Sequence, residues 1–296
     1  MSAADTAPAS RLEYIAPAPD MAGIIHTLFV MRVGEGRVED VMPSYSAQFF
    51  SFVEGSGEVR FPDRPVGRST DFTLNAPMLR AAPMVLEGPV LNVGASFTPL
   101  GWAAFSGLAA DEVHDTSLCA TTIFDDAALA PLRLGIAQCR AGEIEAQDYA
   151  RAIEDFIRAT CRSARNGPRP EHVELVAAID RWLASEFNPP IERLYGNVPL
   201  GQRQVQRLCK RYFGVPPAQL VKRFRAIRAA MLLAHEDLSD ELRNEVLGAY
   251  FDQAHLIHDI RRYTGRTPKV LAQEPLAQNM LDPEGHGATA HDLRNS

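Results

Sequence analysis

The chain has 296 residues, 46% hydrophobic and 23% charged, and a net charge of -7, the balance of a globular protein with room for one large or two medium domains. No apolar run approaches the ~18 residues that would mark a membrane span, and the first twenty residues lack an apolar leader behind basic residues, so a cytoplasmic protein without a signal peptide is expected. Cys119, Cys139, Cys161 and Cys209 lie far apart with no CxxC pair, which argues against a zinc site and fits a reducing compartment.

Residues 1–20 are rich in Ala and Pro and are expected to be disordered. From Ile24 to about Thr98 the text reads as strands: Ile24–Val33, Ala47–Gly55, Gly57–Phe61, Asp71–Asn75, Pro83–Glu87 and Pro89–Phe97. Each is short, rich in β-branched or aromatic residues and bounded by Gly, Pro, Asn or Asp, a rhythm that favours a sandwich or barrel. Leu100–Val113 has helical spacing, and Glu143–Ala164 is a helix with Ile153, Phe156 and Ile157 on one face. The stretch Ser163–Pro170, SARNGPRP, reads as a linker. These readings divide the chain into a β-rich domain over 21–140, a connecting helix and linker over 141–170, a helical domain over 171–273 and a disordered tail over 274–296.

The helical domain is the more explicit. Glu171–Phe187 is amphipathic, Ile191–Tyr195 is a short helix, and a helix from Gln202 is stopped at Gly214. Pro216-Pro217 starts a long helix to about His235. The pattern then repeats in small: Asp240–Gly248, Gln253–Thr264 behind an Asp252 cap and ahead of Gly265, and a last short helix from Pro268. The expected class is α+β.

Charge is unevenly placed: -7 over residues 1–170, +3 over 171–273 and -3 over 274–296. Between Arg193 and His235 there are nine Lys or Arg and no carboxylate, which in an acidic chain points to a polyanion partner. On the helix from Gln202, Val205, Leu208 and Tyr212 share one face. Gln202, Arg203, Gln206, Arg207 and Lys210 share the opposite one, with Arg211 beside them. A helix entering a major groove needs this division. Arg203 and Gln206 suit base edges, while Lys210 and Arg211 suit phosphates. On the helix from Gln253 the buried stripe is Leu256, Ile260 and Tyr263, while Gln253, Ile257, His258 and Arg261 face outward, with Gln253, His258 and Arg261 as DNA contacts.

Residues 191–273 resemble the AraC/XylS-type transcriptional regulators. GQRQVQRLCKRYFGVPPAQLVKRFRAIRAAMLL is similar to that family's first helix–turn–helix and connecting helix, and YFDQAHLIHDIRRYTGRTP to its second-unit signature. The resemblance implies seven helices, two recognition helices in successive major grooves of promoter DNA, and a partnership with RNA polymerase. Val90–Val113 resembles a cupin-like β-barrel found in a subset of these regulators, which implies a domain for sensing a small-molecule effector or for homodimerisation. Departures from the family fall mostly in the second unit. Ala249 stands where a Gly is usual, which would be strained at positive φ. Leu256 replaces a Phe and His258 an Arg, and in the first unit Gly201 and Cys209 replace a Ser cap and an aromatic.

The functional expectation is a sequence-specific DNA-binding transcriptional regulator. The alternative is a protein-interaction module, an antagonist of related regulators with reduced DNA readout. No phosphate loop, nucleophile elbow or carboxylate pair points to an enzyme. His255 and His258 lack a third ligand, and His26 and His114 are too few for a cupin metal centre, so neither metal nor cofactor is expected.

Overall fold

The computed structural model describes residues 10–163, 167–234 and 239–273. The expected disorder of 274–296 and of the first nine residues lies outside them.

The N-terminal domain is built on one antiparallel sheet: β1 (Ser10–Ile15), β2 (Ile25–Met42), β3 (Gln48–Val59), β4 (Gly67–Arg68), β5 (Thr73–Asn75), β6 (Ala82–Phe97) and β7 (Ser117–Cys119). Its order is β1-β2-β6-β3-β5-β7, with β4 on β3. The two ends of this path do not pair, so the sheet is curled and cupin-like but open. The expectation of disorder through residue 20 is corrected for Ser10–Ile15. These residues pair from Ser10 with Val33 to Ile15 with Leu28. The surrounding Ala/Pro composition masks RLEYI, which gains order only from an existing strand edge.

Several strands read as separate are continuous. β2 runs on through the Gly-rich residues after Val33, and β6 spans Gly88-Pro89. The register shifts between Val33 and Gly36 and around Glu54. Gly and Pro act here as bulges that bend long strands rather than as turns. At Gly88 a Cβ would sit 2.1 Å from the Gly34 carbonyl oxygen, so only glycine permits that crossing.

Helices close one face of the sheet. Residues 100–113, expected as one helix, form α1 (Pro99–Ser106) and α2 (Ala110–Val113), parted at Gly107 with φ 72°. A helix absent from the sequence reading, α3 (Asp126–Arg140), is capped by the Asp125 side chain. The expected connecting helix is α4 (Ala146–Ser163), and it is no connector. Tyr149, Ile153 and Ile157 are fully buried in the same core as Phe49, Phe97 and Trp102, so the N-terminal domain extends to residue 163.

Seven helices follow among the described residues: α5 (Pro170–Ala184), α6 (Ile191–Gly196), α7 (Gln202–Phe213), α8 (Pro217–Ala234), α9 (Asp240–Gly248), α10 (Gln253–Thr264) and α11 (Pro268–Leu271). They make two small cores. Val205, Leu208 and Tyr212 of α7 join Ile179, Leu194 and Leu220 in one. Leu256 and Ile260 of α10 join Ala229, Ala230, Val246 and Leu271 in the other. Helix α8 gives residues to both and so fixes the two units relative to each other. No helix among the described residues is long and apolar enough to cross a membrane.

Candidate nucleic-acid interface

The two candidate recognition helices are built alike. Each has twelve residues, and each ends at a left-handed glycine, Gly214 (φ 80°) and Gly265 (φ 74°). Their starts differ. Asp252 caps α10 by accepting from the His255 N–H at 2.7 Å, whereas Gly201 offers α7 no side-chain cap. Ala249 has φ -77°, so the missing glycine costs no backbone strain there.

All six α7 candidates, Gln202, Arg203, Gln206, Arg207, Lys210 and Arg211, are exposed, as are Gln253, His258 and Arg261 on α10. Gln206 also donates to the Tyr195 hydroxyl at 3.2 Å, which holds it beside α6. No carboxylate faces outward from either helix: α7 contains none, and the Asp259 side chain of α10 is fully buried. The charged groups on both exposed faces are therefore all positive, with the exposed Asp252 only at the cap of α10, and positive charge is what a phosphate backbone demands. Near α7, His172 Nδ1 lies 2.8 Å from the Tyr212 hydroxyl. Burial holds His172 below its ordinary value, and Arg169, Arg211 and Arg207 push the same way.

Asp259 ties the second unit together. Lys222 Nζ lies 3.1 Å from it, His255 Nε2 3.4 Å and Arg225 3.7 Å. Neither carboxylate oxygen has a well-aligned donor, so charge more than hydrogen-bond geometry holds it. Arg225 also lies 4.3 Å over the Tyr250 ring. His255 thus faces a carboxylate rather than pairing with His258. Among the described residues no three His, Cys, Asp or Glu side chains gather for a metal.

The N-terminal domain grips both units. Leu100 and Ala103 of α1 pack into the core around α7. At the end of α10, the Arg262 carbonyl accepts from Ala81 N–H at 2.9 Å and the Tyr263 carbonyl from Ser44 N–H at 2.6 Å. Arg266 donates to the Val41 carbonyl at 2.7 Å and pairs with the Asp40 carboxylate. The open carbonyls of a helix end are thereby capped across the domain boundary. Gly265 makes this possible, since a Cβ there would meet Val41 Cγ1 at 2.2 Å.

A cavity of about 120 Å³ lies between the domains. Phe97, Pro99 and Trp102 line it from one side, and Phe213, Phe224, Ile227 and Met231 from the other. Three of its lining residues carry enclosed polar atoms without a protein partner: Ser46 Oγ, Trp102 Nε1 and Arg223 Nε. Burial brings Arg223 down to about 10, still a cation near neutral pH. The sequence reading missed this group, because residues 46, 102 and 223 meet only through the fold.

Residues 197–274 match a family model described as a helix-turn-helix domain. No curated protein matches the chain significantly. Among solved structures, ToxT from Vibrio cholerae O395 is similar at 8% identity and TM-score 0.45, over 86% of this chain and 97% of that one. ToxT bound to (E)-4-(8-methylnaphthalen-1-yl)but-3-enoic acid aligns at 7% identity and TM-score 0.46, over 93% and 100%. CuxR, described as an AraC-like transcriptional activator, aligns at 12% identity and TM-score 0.30, over 82% and 87%.

Proposed function

We propose that this chain, whose residues 197–274 form an AraC-type helix–turn–helix DNA-binding domain, is a transcriptional regulator that reads promoter DNA with α7 and α10 and answers to a small-molecule effector held between its domains. The observation that carries the DNA reading is the pair of matched helices, each with an exposed face free of carboxylates and an apolar face docked in its own core. Phosphate contacts from Lys210, Arg211 and Arg261 set the register, and Arg203 and Gln206 read bases. Bound at a promoter, the protein recruits or blocks RNA polymerase.

Arg203→Ala is expected to cost about 1–3 kcal/mol on the preferred site and to relax selectivity at one base pair. Lys210→Ala is expected to weaken all sequences alike and to lower the salt slope by about 1. Binding titrations at several salt concentrations, on specific and scrambled duplexes, separate the two. Equal, sequence-independent losses from both variants would sink the base-reading assignment.

The effector reading rests on the chemistry of the interdomain cavity. The cavity has apolar walls, enclosed donors, the Arg223 cation and also His26 and the Asp180 carboxylate, and of these Arg223 is the group that suits the head of a compact acid with an apolar body. Such a ligand favours the arrangement in which both walls are present, so it biases how α8 is held against the N-terminal domain. Decanoate is expected to raise the thermal unfolding midpoint while decanol does not, and Arg223→Gln is expected to abolish the difference. Equal shifts from the acid and the alcohol would refute the assignment of the cation.

A further inference from the structure

We propose that the second recognition helix reads thymine methyl groups through an apolar face made of Phe251, Ala254 and Ile257. The inference rests on the DNA-binding reading above and goes beyond it, because it assigns the two units different chemistry. Counting from their shared start, Gln202 corresponds to Gln253, Lys210 to Arg261 and Arg211 to Arg262, so both helices keep the same outer donors. The two base-reading positions are not kept: Arg203 corresponds to Ala254, and Gln206 to Ile257.

Directly before the Asp252 cap stands Phe251, 95% exposed, the most exposed of the large hydrophobic side chains among the described residues. Its backbone is anchored on both sides. Asp252 accepts from the His255 N–H, and Tyr250 is buried under Arg225. A recognition helix meets base edges with its N-terminal residues, and Phe251 and Ala254 both lie there. The charge around them fits one partner. Gln253, His258, Arg261 and Arg262 are exposed on the same helix, whose one carboxylate, Asp259, is buried, and the exposed Asp252 beside Phe251 is engaged by the His255 N–H. On the major-groove floor of DNA the C5-methyl of thymine is the apolar feature, and Phe and Ala side chains suit it. The second half-site is therefore thymine-bearing, whereas the first is read by hydrogen bonds from Arg203 and Gln206.

The test uses the full chain. Preferred sites are selected from a random duplex pool with the natural protein, Phe251→Ala and Ile257→Ala. Each thymine of the second half-site is then replaced by deoxyuridine, which removes only the methyl. The natural protein is expected to lose about three- to fivefold in affinity at one or more positions, the worth of one buried methyl-sized group. Phe251→Ala or Ile257→Ala is expected to lose a similar factor on the thymine site and to become insensitive to deoxyuridine at its own position. The first half-site should be unaffected, and the unfolding midpoint of Phe251→Ala unchanged. A bipartite footprint with undiminished deoxyuridine sensitivity in both variants overturns the proposal while leaving the regulator reading intact. So does a Phe251→Ala variant that binds normally but fails to activate transcription, which would place Phe251 against polymerase. No selective footprint on either half-site would overturn both readings.

Discussion

Asp259→Ala is expected to destabilise the second helix–turn–helix unit by about 3 kcal/mol, the lower end of the range for removing one member of a buried charge group. The lower end applies because Lys222 and His255 remain partly exposed, at 38% and 40%, and so recover some hydration. Arg225 is only 14% exposed and keeps partial compensation from the Ala249 carbonyl at 3.3 Å and the Tyr250 ring. The functional consequence follows from where Asp259 sits. It joins α10 to Lys222 and Arg225 of α8, the helix that sets one unit against the other. Urea titration should show the loss of stability, and footprinting should show protection of the second half-site fading while the first persists. Lys222→Ala should cost less than Asp259→Ala, because Arg225 and His255 still face the carboxylate. If Asp259→Ala were neutral on both measurements, the carboxylate would have no part in holding the two recognition helices together.

Phe49→Ala is expected to cost about 3–5 kcal/mol, the usual loss for a fully buried aromatic cut to a methyl. Phe49 is 0% exposed and sits where the sheet meets its helices. Its ring centroid lies 5.3 Å from Phe105 of α1, 5.7 Å from Phe156 of α4 and 6.2 Å from Phe72. Its loss opens a cavity that three elements cannot fill together. The readout is the urea midpoint of the full chain, with Phe49→Leu expected to lose clearly less. Because neither small core of the helical domain includes Phe49, DNA binding at low temperature should survive the substitution. Loss of binding there would mean that the N-terminal domain holds the recognition helices more tightly than its contacts at Leu100, Ala103 and the end of α10 suggest.

Much of the helical domain was legible because its signals are local. The bounds of α7 and α10 follow from apolar spacing, an Asp cap and stopping glycines, all within one helix length of the residues they govern. The outward placement of Arg203, Lys210 and Arg261 follows from the same phase. The departures were legible too, but their meaning was not. Ala249 raised a question of strain that only its negative φ answers. Ile257 faces outward by phase alone, yet the apolar face it shares emerges only with Phe251, which is exposed rather than buried.

The N-terminal domain was legible in class and not in layout. Its strands show as β-rich segments, but the glycines that look like turns at Gly34, Gly36 and Gly88 lie within long bent strands. Ser10–Ile15 becomes a strand because β2 offers it an edge, and α4 belongs to the core because the sheet presents apolar surface to Tyr149 and Ile153. Sequence alone thus determined where α7 and α10 lie and which side chains they turn outward, since phase and caps act over a few residues. The tertiary structure alone decided that Asp259 is buried against Lys222, Arg225 and His255, that the N-terminal domain caps α10, and that Ser46, Trp102 and Arg223 share a cavity. Each of these depends on desolvation by distant parts of the chain, and local spacing carries no record of that.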